Sequence, residues 1–336
     1  MSSSSTITPA IVQLQFISQY ISMTLGFILL ISGTIGNSIN TIVFFKLGNW
    51  KHNACSLYIF VKSLFDLFLL IIGVTNQITR LGFNIDLTAQ SRVWCKLAIS
   101  LINITFLNSL TCMCLQSIDA YFCSSRSPTW RQKSNVRMAR YYIVGFLFLW
   151  ICHVMPYGIL YNLLTKGSTS ICTTINPNFV RYNTYFVNLC LYAVIPIIIV
   201  TVFSFLTYRN LRTLTTQDRH SLSTLTRQMI SLALLQVITL LVFQVPYAIV
   251  QIYSLVTMNL AKSTYRQAQE EVVNYFFHGY VYGTFACSFY CYCIVSKRFR
   301  KEVFDVLRRL SSIRRRTQVI PIIQTIELRH QRTIQL

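Results

Sequence analysis

Apolar residues along this chain fall into seven long blocks separated by short polar stretches. The blocks run from about Gln19 to Phe45, Cys55 to Gln77, Trp94 to Phe122, Tyr141 to Leu164, Tyr182 to Tyr208, Gln228 to Tyr253 and Val272 to Val295. A helix of about 20 such residues crosses the hydrocarbon core of a bilayer, so each block predicts one membrane span. The third block also carries Asn103, Thr105, Asn108, Ser109, Thr111 and Gln116 at roughly helical spacing. That pattern predicts a helix sheltered by its neighbours rather than bathed in lipid. Pro156, Pro196 and Pro246 lie inside blocks, where neighbouring helices can take over the freed backbone groups. After the seventh block, residues 297–310 place Phe299, Val303, Leu307 and Leu310 on one helical face and Lys or Arg on much of the other. This predicts a helix lying along the inner membrane surface. Residues 1–18 are rich in Ser and Thr and lack the basic head of a secretory signal, so they read as an extracellular polar tail. Residues 311–336, with Arg314, Arg315 and Arg316, read as a basic cytoplasmic tail without fixed structure. The expected fold is all-α: an integral seven-transmembrane bundle over 19–296, followed by one short amphipathic helix.

Composition supports the membrane reading. Only 12% of the residues are charged, about half the share usual in a soluble domain. The net charge of +21 would suggest nucleic acid as a partner if it were spread over a surface, but it sits in loops and tail. Its distribution gives an orientation instead. One side receives 22 basic residues and the other seven, Arg80, Arg92, Lys96, Lys166, Arg181, Lys262 and Arg266. The positive side is cytosolic, so the C-terminus is inside and the N-terminus outside. Most of the eleven cysteines lie in or beside apolar blocks, where a free thiol behaves as a small hydrophobe. Cys95 and Cys172 lie at outer block edges, where an oxidising space would let them pair.

Several residues stand in an order that resembles the rhodopsin-like G-protein-coupled receptors, over about residues 20–310. They are Gly36-Asn37, Asp66, Trp94-Cys95 with Cys172, Asp119-Ala120-Tyr121, Trp150, Pro196, Pro246, and Tyr292 followed by Lys297-Arg298-Phe299-Arg300. The resemblance implies an outer disulfide between Cys95 and Cys172. It implies switch and G-protein-coupling roles around Asp119, Ala120, Tyr121, Pro246 and Tyr292. It also implies a small sodium site at Asp66, Ser109, Thr284 and Ser288, and a ligand cavity touched by Asn103, Phe106, Gln244, Tyr247, Gln251, Tyr275 and His278. No other cofactor is implied. The departures bear on coupling. Ala120 replaces the family's arginine, Gln244 its tryptophan, Ser204 a tyrosine, and Ser288-Phe289-Tyr290-Cys291-Tyr292 lacks the Asn and Pro of Asn-Pro-x-x-Tyr.

Each singled-out residue has a plainer reading. Asp66 could be a protonated acid in a polar helix seam. Lys62 lies one turn before Asp66 and could pair with it or with Asp119. Helical side chains lean toward the helix N-terminus, however, which is cytosolic in span two, so we expect Lys62 to snorkel to the inner surface. Asp119, without its arginine, reads as a solvated interfacial carboxylate. The aromatic and polar candidates for the ligand cavity are at helical spacing, which is also the mark of ordinary packing.

The expected function is that of a plasma-membrane receptor that binds an extracellular ligand and signals to a heterotrimeric G protein, with the bilayer as its other partner. Ile102 stands where amine receptors place an aspartate, and span seven has no lysine for a retinal Schiff base, so neither a biogenic amine nor retinal is expected. Neuropeptides and small neutral ligands remain, with peptides favoured by the aromatic, uncharged lining. One rival is a receptor-shaped decoy that binds without activating a G protein, which Ala120 favours. A transporter or channel would show more mid-membrane charge than Lys62 and Asp66 or paired repeats. An enzyme is not expected, because no HExxH, GxSxG or His/Asp cluster is present.

Overall fold

The computed structural model describes residues 9–166, 169–213, 224–297 and 299–308. The helices begin where local chemistry allows. Asn53, Ser91, Asn135 and Ser263 each turn a side-chain oxygen onto a backbone N–H of the first turn. Asn176 does the same with Pro177 at the first helical position. Such caps supply the orphan donors that a helix start leaves without a partner.

Among the described residues six helices are long and apolar enough to cross a membrane. They are α1 (Pro9–Leu47), α2 (Ala54–Gly82), α3 (Arg92–Ser124), α4 (Val136–Leu160), α5 (Pro177–Thr213) and α6 (Thr224–Val256). The seventh crossing is made of three pieces, α7 (Thr264–Tyr280), α8 (Gly283–Ala286) and α9 (Ser288–Val295). The bundle is therefore the expected one, with two differences in detail. α1 starts at Pro9, because the Ser/Thr-rich stretch ends before Val12 and Phe16 begin an apolar helical pattern; residues 1–8 lie outside the described residues. The helix that leads into span seven begins at Thr264, outside the apolar block that starts at Val272, and span seven is broken without any proline. Tyr282, Thr284 and Phe285 donate to carbonyls three residues back, at 3.2, 3.1 and 3.0 Å, which tightens the chain there.

α3 is the central post, with most of its apolar stretch buried, and α4 is peripheral, with most of its own exposed. The core is built where six spans converge: Leu29 from α1, Leu70 from α2, Phe106 and Leu110 from α3, Tyr192 from α5, Tyr247 from α6 and Phe285 from span seven. α4 is held to α3 by Trp150 Nε1 donating to Thr111 Oγ1 at 3.0 Å. Its outer face, with Phe148 68% exposed, is left to lipid.

Between α4 and α5 the chain forms an unexpected antiparallel hairpin, β1 (Asn162–Lys166) and β2 (Thr169–Thr173), with Leu163 opposite Cys172. Cys172 is bonded to Cys95 at the head of α3, with the two Cα atoms 5.6 Å apart.

A final helix covers 299–308. Phe299, Val303 and Val306 are its buried residues, packed with Val43, Phe44, Ile59, Leu232 and Tyr292. The expected face named Leu307 in place of Val306. At about 100° per residue, Val306 lies roughly 20° from Phe299 and Leu307 roughly 80°, and Leu307 is 43% exposed. Leu310 and the tail 311–336 lie outside the described residues.

Candidate functional site

The polar residues of α2 and α3 meet inside the bundle. One turn of α2 separates Lys62 from Asp66, and Lys62 Nζ lies 2.5 Å from Asp66 Oδ2. It also donates to Ser288 Oγ at 3.1 Å and lies 5.8 Å from the centre of the Phe285 ring. Ser109 donates to Asp66 Oδ1. Lys62 is 1% exposed and Asp66 0%. The expectation that Lys62 snorkels is thus overturned. Below it the inner end of α2 is closed by Cys55, Ile59, Tyr292 and Phe299, leaving no wet route for the ammonium. A lone buried charge is costly, and removing one partner of a buried pair typically costs about 3–5 kcal/mol. Spans two, three and seven are therefore joined through one ion pair and two hydroxyls.

Further out, a second polar chain crosses the core. Pro196 has no N–H, so the carbonyl of Tyr192, four residues earlier, loses its helical donor. The upstream stretch Asn183–Val194 winds in wide i→i+5 turns. Gln244 Nε2 donates to the freed Tyr192 carbonyl, and Gln244 Oε1 accepts from Thr284 Oγ1 at 3.4 Å. The Tyr192 hydroxyl donates to Asn103 Oδ1, and its ring stacks on Phe106 with centroids 4.1 Å apart. Phe106 also meets Phe285 edge-on at 4.8 Å. Tyr192 was not among the sequence candidates. Its signal was the proline four residues on.

The expected ligand residues therefore separate into two groups. Asn103, Phe106, Gln244 and Tyr247 are buried, and the first three converge on Tyr192. Gln251 and Tyr275 are half-buried and His278 is exposed, its ring 6.2 Å from Tyr247.

Tyr275 opens onto a cavity of about 1030 Å³ at the outer end of the bundle. Its walls are the first turns of α1 (Gln15, Gln19), the end of α2 (Arg80), Asp86, Glu271 and the hairpin residues Ser170 and Ile171. Asp86 accepts from Thr88 N at 2.9 Å and from Cys172 N at 3.4 Å, which ties the hairpin to the loop after α2. Glu271 Oε1 accepts from the Tyr275 hydroxyl at 2.7 Å. Among the described residues Arg80 makes no ion pair, and it is exposed. Beside this cavity, Glu270 gathers Lys262 Nζ, Arg266 Nε at 3.0 Å and the Tyr253 hydroxyl at 2.9 Å. The hydrogen bond from Lys262 is the largest cause that holds the Glu270 carboxyl below its ordinary value; burial opposes it, and the hydrogen bonds from Tyr253 and Arg266 add to the lowering.

At the inner end, Ala120 is 2% exposed and packs on Ile230 and Ala233 of α6, so α3 and α6 close directly on each other. Asp119 is 5% exposed, not the solvated carboxylate expected, because the loop folds over it. Cys123 Sγ lies 3.9 Å from Asp119 Oδ2 and 3.1 Å from Ser134 Oγ. The Tyr121 ring meets Phe203 of α5 edge-on at 5.7 Å. Tyr292 is fully buried and its hydroxyl accepts from Gln236 Nε2 at 2.5 Å, which ties α9 to α6. Pro246 lies within α6, half-buried. Gln236 was also missed, since a single glutamine in an apolar block carries no positional signal.

No family model matches this chain. A stretch of 195 residues, 56% of the chain, is 28% identical to galanin receptor 2b of Danio rerio and spans 49% of that protein's length. The chain is thus weakly similar, over about half of each sequence, to a protein named as a receptor rather than as an enzyme.

Proposed function

We propose that this chain is a multi-pass plasma-membrane receptor that binds an extracellular peptide and passes the signal to a heterotrimeric G protein. The observation that carries the reading is the cavity of about 1030 Å³ under a hairpin that the Cys95–Cys172 bond holds to the head of α3. A mouth of that size exceeds what a small amine fills, and its walls mix apolar residues such as Val12, Phe16 and Ile85 with the charged Arg80, Asp86 and Glu271, a lining suited to a peptide's mixed surface. Likeness to a protein named for galanin points the same way. The excess of basic residues on one side supports an N-terminus outside and a C-terminus inside. Signalling would proceed by a shift between two helix packings, with ligand and G protein each binding one of them better. The closed contact of Ala120 with Ile230 and Ala233, and the Gln236–Tyr292 bond, belong to the resting one.

One observation favours a second reading, in which ligand binds and no G protein is activated. Ala120 offers the inner face no charge, and its methyl group is buried. The test is nucleotide exchange on purified G proteins, driven by the receptor in lipid discs, with galanin as the first peptide tried, for the native chain and for Ala120→Arg. We expect peptide-dependent exchange from the native chain. Peptide binding with no exchange from the native chain, and exchange gained by Ala120→Arg, would establish the decoy instead.

A further inference from the structure

The resemblance implies a dissolved sodium ion beside Asp66, and the side chains around this aspartate do not fit one. A sodium ion takes oxygen ligands. Here both carboxylate oxygens are engaged, Oδ2 by the Lys62 ammonium at 2.5 Å and Oδ1 by the Ser109 hydroxyl. Ser288 Oγ accepts from the same ammonium at 3.1 Å, and Thr284 is turned away to Gln244. A second cation at this carboxylate would sit within a few ångströms of Nζ, in a medium too apolar to screen the repulsion.

We propose that Lys62 is the resident cation of this bundle: its ammonium occupies the place beside Asp66 and fixes spans two, three and seven in one packing that sodium does not influence. The ammonium suits the place. It has three N–H donors and no acceptor. Two of them meet Asp66 and Ser288, and the face of Phe285 lies on another side. A dissolved ion stabilises the state it binds in proportion to its concentration and affinity. A cation carried on the helix itself is present at every salt concentration, so that linkage is absent. The inner end of α2 being sealed by Ile59, Tyr292 and Phe299, the ammonium has no wet alternative in this packing. The inference concerns the resting packing alone and does not depend on which ligand or G protein the receptor uses.

The test is thermal unfolding of the purified full-length protein in detergent. It is followed by a thiol-reactive dye that reports exposure of the buried thiols of Cys112 and Cys114. Each sample is run in sodium chloride and in N-methylglucamine chloride at equal ionic strength. The native midpoint should be the same in both salts. Lys62→Met removes the ammonium and leaves Asp66, Ser109 and Ser288 free to take an ion. Its midpoint should be lower than native in N-methylglucamine and rise in sodium. Sodium raising the native midpoint as much as that of Lys62→Met would overturn the proposal, as would a Lys62→Met protein of native stability without sodium. Should Lys62→Met fail to fold, the double variant Lys62→Met/Asp66→Asn decides. It removes both charges, and its recovery of a folded protein identifies the lone carboxylate as the damage. A double variant as defective as the single one would instead show that Lys62 is needed for its shape, and the proposal would fall.

Discussion

At the scale of single residues, two glycines show how much depends on what lies opposite. Gly33 of α1 lies so close to α2 and span seven that an added Cβ would lie 2.5 Å from Leu70 Cδ1, 2.9 Å from Ala286 Cβ and 3.1 Å from the Ala286 Cα. The last is backbone and cannot swing aside. Gly145 of α4 has nothing within 4 Å. We expect Gly33→Ala to destabilise by about 1–3 kcal/mol, the usual cost of overpacking, and Gly145→Ala to leave the protein within about 0.5 kcal/mol of native. Thermal midpoints of the two variants in detergent check both, and equal midpoints would contradict the close approach of α1 to span seven. Asn37 belongs to the same contact. Its amide donates to the carbonyls of Gly33 and Phe285, both at 3.0 Å, just where span seven is interrupted before Ser288. The Gly36-Asn37 pair was visible in the sequence, but its partner 248 residues away was not.

At the scale of elements, the structure turns on how helices are interrupted. In α5 a proline frees a carbonyl, and Gln244 on α6 supplies the missing donor. Gln244 thus puts an amide where the neighbouring helix needs one. Span seven is interrupted with no proline at the break. Gly283 sits against the Phe243 ring, where an added Cβ would lie 2.6 Å from Cζ and closer to two other ring atoms. The outer ends of α6 and α7 are joined by Tyr253, Lys262, Arg266 and Glu270. Because the folded carboxyl of Glu270 is held below its unfolded value, this junction contributes stability above the ordinary carboxylate pKa. The contribution is lost as pH falls through the lowered folded value. Hydrogen exchange of residues 257–270 should therefore quicken on acidification through that range, and Glu270→Gln should remove the pH dependence. Exchange unaltered between neutral and acid pH would contradict the junction.

At the scale of the whole molecule, the bond between Cys95 and Cys172 closes 77 residues of chain and holds β2 over the outer cavity. Disulfides closing loops of this order typically contribute roughly 2–4 kcal/mol, in an account that is partly entropic and model-dependent. Cys95→Ala/Cys172→Ala should lower the thermal midpoint and release the hairpin, read as faster hydrogen exchange at 162–173. Hairpin protection equal to native would mean that the strand pairing and the Asp86 contact suffice. The outer cavity, the buried ion pair and the closed α3–α6 contact are separate levels of one bundle. A change at any level can reach the next only by repacking helices, because packed interiors deform poorly.

The order of apolar blocks by itself determined that this chain crosses a membrane as a helical bundle, since only a helix or a closed barrel satisfies its backbone in lipid. Cysteine placement made the outer bond foreseeable, and the departures at Ala120 and Gln244 were plain in the sequence. What lies opposite each residue was decided by the tertiary structure alone. Lys62 reads as a snorkelling lysine until Ile59, Tyr292 and Phe299 are seen to seal the route beneath it. Val306 replaces Leu307 on the buried face because the groove between α1, α2 and α9 accepts one side of the last helix. Asn103, Phe106 and Gln244, expected to touch ligand, instead hold Tyr192, whose freed carbonyl takes its donor from Gln244. A sequence fixes which face of a helix is apolar or charged, but the environment of a buried charge depends on residues hundreds of positions away, and that environment sets its free energy.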